Sequence, residues 1–293
     1  MNLVKTVAIV GSNGFIGKNL CEYFLSRSYN IRQFDSLSPF DLNEPQVMQD
    51  LESIDVILWA ASRVNPTIAE KFPELALEEN QSWVNTLTLL KIARWGGKLI
   101  FLSSGGCVYD SGIGPYKETD GASGSNAYGR LKSKMESELQ ISGINHSIFR
   151  VSNVYGPFQK HGRGQGVLAE WLNCFNNNLP LLVFGSEDNY RDYIHVLDVC
   201  RGIECVLNID FPDTFNLGSG VATSIGQLLK IFKDCAGNEI EVIHYSSREY
   251  DRNGFFLDME KLKKLTNWEP TIDIETGVSL LFKSEKESNE LKA

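Results

Sequence analysis

The chain has 293 residues, 42% of them hydrophobic and 22% charged, which is enough to bury a substantial core as one large domain or two intimate ones. A net charge of −9 with no basic stripe argues against nucleic acid as the main ligand, and no apolar run approaches the roughly 20 residues of a membrane helix. Six cysteines without a C-x-x-C pair and scattered histidines at His146, His161, His195 and His244 predict reduced thiols in a cytoplasm and no metal site.

The first residues lead directly into a strand, so no signal peptide is expected. An apolar β-prone run at 7–10 ends in Gly11-Ser12-Asn13-Gly14-Phe15-Ile16-Gly17, and a helical pattern follows with Leu20, Tyr23 and Phe24 on the face of Phe15 and Ile16. Strand, glycine turn and helix start in that order suit a dinucleotide pyrophosphate. The first glycine allows the tight turn, the second lets backbone N–H groups approach the phosphates, and the third lets helix and strand pack closely. The spacing is G-x-x-G-x-x-G, and an ordinary strand–turn–helix is the alternative.

A second strand at 31–34 ends at Asp35, 18 residues beyond Gly17. An acid near the ~20-residue spacing can accept from the adenosine ribose 2′-hydroxyl and repel a 2′-phosphate, favouring NAD over NADP. A surface aspartate opening a turn fits the same residues. A helix capped near Asn43 follows, then a strand at 55–59 ending in Ala60-Ala61-Ser62, small residues that suit either a nearby ligand or tight packing. The short span between Phe34 and Asp55 leaves little room for another strand–helix unit, so the sheet is expected to be trimmed on that side.

A long helix is predicted over 73–95, stopped by Gly96-Gly97, then a strand at 98–102 that opens into Ser103-Ser104-Gly105-Gly106-Cys107-Val108-Tyr109. A helix from about Ala127 carries Tyr128, Lys132 and Glu136 on one face. A tyrosine and lysine one turn apart can meet beside a nicotinamide, where the ammonium lowers the phenol pKa and the phenolate takes a hydroxyl proton. The strand at 147–151 and a return to the sheet at 211–220 complete an α/β pattern. The expected fold is a Rossmann-type doubly wound parallel sheet with a smaller, interleaved α/β lobe. The boundaries are 1–157 with 196–221 for the dinucleotide domain, 158–195 and 222–283 for the substrate lobe, and 284–293 for a solvated tail.

Together, Gly-Ser-Asn-Gly-Phe-Ile-Gly (11–17), Ser-Ser-Gly-Gly-Cys-Val-Tyr (103–109), Tyr-Gly-Arg-Leu-Lys (128–132), Asn-Val-Tyr-Gly-Pro (153–157), Arg-Gly-Gln-Gly-Val (163–167) and Arg-Asp-Tyr-Ile-His-Val-Leu-Asp-Val (191–199) resemble the extended short-chain dehydrogenase/reductase superfamily, within it the nucleotide-sugar epimerases related to UDP-glucose 4-epimerase. The resemblance implies NAD as cofactor, a UDP-sugar as substrate, a homodimer through the helices at 73–95 and 126–142, Tyr128 as base and Lys132 as its activator and ribose ligand. It implies cofactor contacts from Asn13, Phe15, Ile16, Ser62 and Ser103 and adenine contacts from Asp41 and Leu42. It also places Asn153 by the sugar, Gln165 and Val167 in the substrate loop, Phe184 on the nucleotide base, Arg191 and Arg248 on the diphosphate, and Asp251 in the sugar-nucleotide pocket.

Position 105 departs from the pattern, which has Ser or Thr four residues before the tyrosine at 109. The missing hydroxyl must then come from Ser104, Ser103 or substrate-bound water, of which Ser104 is the choice, and Cys107 is expected to be buried and inert. Three activities follow from the resemblance. The first is C4 epimerisation of a UDP-hexose through a 4-keto intermediate. The second is NAD(P)H-dependent reduction of a nucleotide-linked 4-keto-6-deoxy sugar, and the third is a non-catalytic dinucleotide-binding protein of the same fold.

Overall fold

The computed structural model describes residues 5–110, 112–162, 165–247 and 253–290. Six parallel strands form its central sheet: β1 (Thr6–Val10), β2 (Asn30–Phe34), β3 (Val56–Trp59), β4 (Lys98–Ser104), β5 (His146–Val151) and, returning from far along the chain, β9 (Asp213–Leu217). Their spatial order is β2-β1-β3-β4-β5-β9. With β2 at the edge, the sheet is trimmed on the side where the 34–55 segment is short. Val7, Ala8, Ile9 and Val10 are buried, the continuous apolar run of a parallel strand covered on both faces.

Between the sheet strands run α1 (Phe15–Ser26), α2 (Pro45–Asp50), α3 (Pro66–Lys71), α4 (Pro73–Ile92), α5 (Gly105–Val108) and α6 (Ala127–Gln140). One face of the sheet packs Leu20 and Phe24 of α1 with Val199 and Ile203 of α8 (Val196–Cys205) and Trp268. The other packs Trp83, Leu87 and Leu90 of α4 with Leu131, Met135 and Leu139 of α6.

Two differences from the sequence-based boundaries have local causes. The helix expected over 73–95 ends at Ile92, because Arg94 turns left-handed with φ of 51° and Trp95 N–H donates back to Leu90 O at 3.1 Å. Upstream, Pro66 at the first helical position and an Asn65 side-chain cap build α3, a helix not among the expected elements.

A separate apolar cluster joins α7 (Val167–Asn176), α9 (Ile225–Ala236) and α11 (Ile274–Glu290) through Trp171, Phe232 and Val278. Two small sheets flank it: β10 (Ala222–Ser224), β8 (Tyr190–His195) and β6 (Asn153–Tyr155) in one, β11 (Val242–Tyr245) and β7 (Leu181–Phe184) in the other. Helix α10 (Glu260–Thr266) packs back on β9. The 284–290 segment, expected as a solvated tail, is helical as the end of α11, in keeping with the helix propensity of its Glu and Lys residues. Among the described residues no helix is long and apolar enough to cross a membrane, and no group of three or more His, Cys, Asp or Glu side chains could hold a metal ion.

Candidate active site

The strand order reverses at β1, whose neighbours β2 and β3 lie on either side, so a crevice opens at the carboxyl ends of these strands. There Gly11 adopts φ of 93°, and a Cβ on it would stand 2.7 Å from the Ala61 nitrogen. Ala60 and Ala61 therefore pass directly against the turn, which accounts for their small size. A Cβ on Gly17 would fall on the Gly11 carbonyl oxygen, so α1 can dock only with glycine at that point. The turn is tied to β2 by Gly11 and Ser12 N–H groups donating to Phe34 O at 2.8 and 3.0 Å. Helix α1 starts after Gly14 with no side-chain cap, and Asn13 and Gly14 are exposed. An uncapped, outward-facing helix N-terminus fits a pyrophosphate.

Asp35 sits at the end of β2 as the ribose assignment requires. One carboxylate oxygen accepts from Leu37 and Ser38 N–H at 2.7 and 3.1 Å, and the other accepts from the Asn13 side-chain amide. Asp35 thus opens a turn with one oxygen and faces the glycine turn with the other. Asp41 accepts from the Asn43 backbone and side chain at 2.9 Å each, and Leu42 is a core side chain.

Beside this turn lies a cavity of about 690 Å³. Its walls bring together Phe15, Ile16, Ala60, Ser62, Ser103, Ser104, Tyr128 and Lys132 with Asn153, Gln165, Val167, Phe184 and Arg191. These come from the start of α1, the ends of β3 and β4, α6, the start of β6, the loop into α7 and its first residue, β7 and β8. Gly11, Asn13, Gly14, Gly17, Asp35, Asp41, Leu42 and Ala61 do not line this cavity. Arg248 and Asp251 lie outside the described residues. The Phe184 ring stacks on Tyr245 at 5.3 Å, and Arg191 donates to Tyr190 O at 2.8 Å with its guanidinium over the Phe255 ring.

Asn126 caps α6, accepting from Gly129 N–H at 2.8 Å, and so sets the first turn that carries Tyr128. A Cβ on Gly129 would fall on Cys107 O, so α6 lies directly against α5. Lys132 is buried, its ammonium 5.7 Å from the Tyr128 ring centre and 4.8 Å from that of Phe101, with a long hydrogen bond of 3.4 Å to Leu102 O. Burial pushes the Tyr128 phenol up, and Cys107 and Glu79 add to the rise. The net direction is upward although the Lys132 ammonium stands over the ring, so burial and not the expected lowering sets it in the folded chain. Burial likewise pushes Lys132 down, against the opposing charges of Glu79 and Glu136.

Several site groups carry no local motif. Glu79 of α4 accepts from Ser62 Oγ at 2.6 Å and Arg63 N–H at 2.8 Å, bringing a buried carboxylate towards Tyr128. The Ser103 hydroxyl donates to Glu136, which is locked in a buried ion pair with Arg150 at 2.8 Å, so Ser103 lines the cavity with its proton already committed. Cys107, expected to be buried and inert, lines the cavity instead and is partly exposed. Phe255 enters the wall from a segment remote in sequence. The buried glutamates and Phe255 follow from long-range packing; for Cys107 the signal was its place two residues before Tyr109.

Comparison with known proteins gives a consistent result. A family model described as the NAD dependent epimerase/dehydratase family matches residues 7–218. The dTDP-4-dehydro-6-deoxyglucose reductase of Escherichia coli is 27% identical, over 95% of this chain and 96% of its own length. A putative UDP-glucose 4-epimerase of Methanocaldococcus jannaschii is 26% identical over 97% and 99%. Among solved structures, the Thermus thermophilus UDP-glucose 4-epimerase in complex with NAD superposes with a TM-score of 0.86 at 24% identity, covering 96% of this chain and 99% of that one.

Proposed function

Because this chain belongs to the NAD-dependent epimerase/dehydratase family, we propose that it is a nucleotide-sugar epimerase that inverts C4 of a UDP-hexose through a transient 4-keto sugar. The observation that carries the proposal is the shared cavity: Tyr128 and Lys132 stand in one chamber with Asn153, Phe184 and Arg191. An aromatic ring for a base and an arginine for a diphosphate, set opposite a proton-transfer pair, suit a substrate with a nucleotide at one end and a reacting sugar at the other. UDP-sugar epimerases recur among the relatives, which supports the choice of nucleotide.

Bound NAD supplies the hydride acceptor and, on the return, the hydride donor. The glycine turn and the uncapped start of α1 hold its pyrophosphate, Asp35 its adenosine ribose, and Lys132 its nicotinamide ribose. Tyr128 takes the proton from the sugar 4-hydroxyl as that carbon is oxidised and gives it back when the ketone is reduced on the opposite face. Ser104, half-buried on the wall, is a hydroxyl within the chamber. In this reading 1–157 with 196–221 is the cofactor domain, 158–195 and 222–283 the sugar-nucleotide lobe, and the protein acts as a cytoplasmic homodimer.

A second reading, single reduction of a nucleotide-linked 4-keto-6-deoxy sugar, is favoured by the Escherichia coli relative. The deciding experiment is purification with analysis of retained NAD, then product NMR with UDP-glucose, UDP-galactose and their N-acetyl forms. Epimerisation without added cofactor is expected. Stoichiometric loss of NAD(P)H, seen only with a 4-keto substrate, overturns epimerisation in favour of reduction.

A further inference from the structure

Position 105 carries no hydroxyl, and the structure shows what occupies the space instead. A Cβ on Gly105 would stand 2.8 Å from Leu257 Cδ1 and 3.1 Å from Arg150 O, and one on Gly106 would stand 2.9 Å from the Phe255 ring. Leu257 belongs to the buried cluster with Val108, Tyr109 and Phe255. It is 1% exposed, and its N–H donates to the fully buried carboxylate of Asp192, which also accepts from Ser219 and Gly220. The notch beside the two glycines is therefore closed by apolar side chains, and a hydroxyl offered to a ligand there has to come from a neighbouring residue or strand.

The parallel register supplies one. Ser103 pairs with Arg150 and Ser104 with Val151, so the next residue of the β5 side, opposite Gly105, is Ser152. Ser152 is 8% exposed and lines the cavity with Tyr128, Lys132 and Asn153. Its N–H is used, donating to Leu217 O at 2.9 Å, but its Oγ has no hydrogen-bond partner among the described residues. A buried, unpaired hydroxyl is rare in a native fold unless a ligand or ordered water satisfies it. The two neighbouring serines differ. Ser103 is committed to Glu136, and Ser104 is open enough to be solvated.

We propose that Ser152 Oγ is the substrate-contacting hydroxyl of this site, bonded to an oxygen of the bound pyranose in place of a side chain at 105; the proposal rests on the nucleotide-sugar reading above. A serine hydroxyl both donates and accepts, so the same atom can accept from a sugar hydroxyl and donate to the carbonyl oxygen that replaces it.

The test compares wild type, Ser152→Ala, Ser152→Thr and Ser104→Ala as NAD-loaded protein. Three quantities are measured: the rise in thermal midpoint given by UDP-glucose over that given by UDP alone, the affinity for NADH, and turnover. Ser152→Ala is expected to lose the sugar-dependent increment and about tenfold or more in turnover while binding NADH within about twofold of wild type. Ser152→Thr, which keeps the hydroxyl, is expected to retain both and serves as the reference should the alanine variant fold poorly. The proposal is overturned if Ser152→Ala keeps increment and turnover, if wild type shows no increment, or if NADH affinity falls in step. A larger loss in Ser104→Ala also overturns it. If wild type shows the increment and Ser152→Ala loses it, yet no sugar is epimerised or reduced, the contact stands and the assigned reaction falls.

Discussion

The glycine-turn crevice and the Tyr128 cavity are built on opposite principles. In the crevice the work is done by backbone: Gly11 and Gly17 are there because a side chain would strike Ala61 or the Gly11 carbonyl, and the carboxylates of Asp35 and Asp41 are already hydrogen-bonded within their own turns. In the cavity the working groups are side chains held short of satisfaction. Tyr128 is desolvated, Lys132 has one long hydrogen bond, and Ser152 Oγ has none among the described residues. The first region offers a ligand the backbone N–H groups at the uncapped start of α1. The second keeps polar capacity in reserve for a ligand whose chemistry changes during the reaction.

That contrast breaks most sharply at Tyr128. Tyr128→Phe removes the proton carrier and is expected to lower kcat by roughly 10²–10⁴-fold, with NADH affinity retained in a fluorescence titration. Unchanged turnover would show that the cavity's chemistry lies elsewhere. Gly17→Ala acts in the opposite manner. Forcing a methyl onto the Gly11 carbonyl is expected to lower stability by about 1–3 kcal/mol in urea unfolding and to weaken NADH binding at least about tenfold. A normal denaturation midpoint would contradict the packing described. Asp35→Asn should be milder: removing the charge is expected to narrow the preference for NADH over NADPH by about tenfold, read from paired titrations. The smallest effect concerns pH. Burial lowers both His146 and His195 from 6.5, so each is held neutral in the fold. A base with a depressed folded pKa makes the unfolded chain the better proton acceptor. Their contribution to stability is therefore intact above about pH 7 and is lost as pH falls through 6.5. Urea midpoints measured from pH 7.5 to 5 should show this decline, and His195→Asn should reduce its slope.

Local chemistry was legible in the sequence, and long-range contact was not. The glycine turn, the Tyr128–Lys132 pair and the trimmed edge beside β2 follow from spacing along one stretch of chain. The return to the sheet expected at 211–220 contains β9 (Asp213–Leu217). The upward shift of Tyr128 escapes such reading, because Y-x-x-x-K spacing places the two residues together but says nothing of the desolvation around them. Glu79, Phe255 and Leu257 reach the site from elements far away in sequence, and Ser152 stands out only once its neighbours are known. Leu42 shows the converse: its place beside Asp41 fits an adenine contact, and its side chain is spent on the core.

The fit of Leu257 against Gly105 also limits how this site can have changed over generations. A serine introduced at 105 alone meets the leucine, whereas trimming Leu257 to alanine alone leaves a void that costs about 2–5 kcal/mol. The two positions share one contact, so they are expected to vary as a pair across related sequences. A lineage that has acquired both is held in its present arrangement, and sequences that mix glycine at 105 with a small residue at 257 should be scarce.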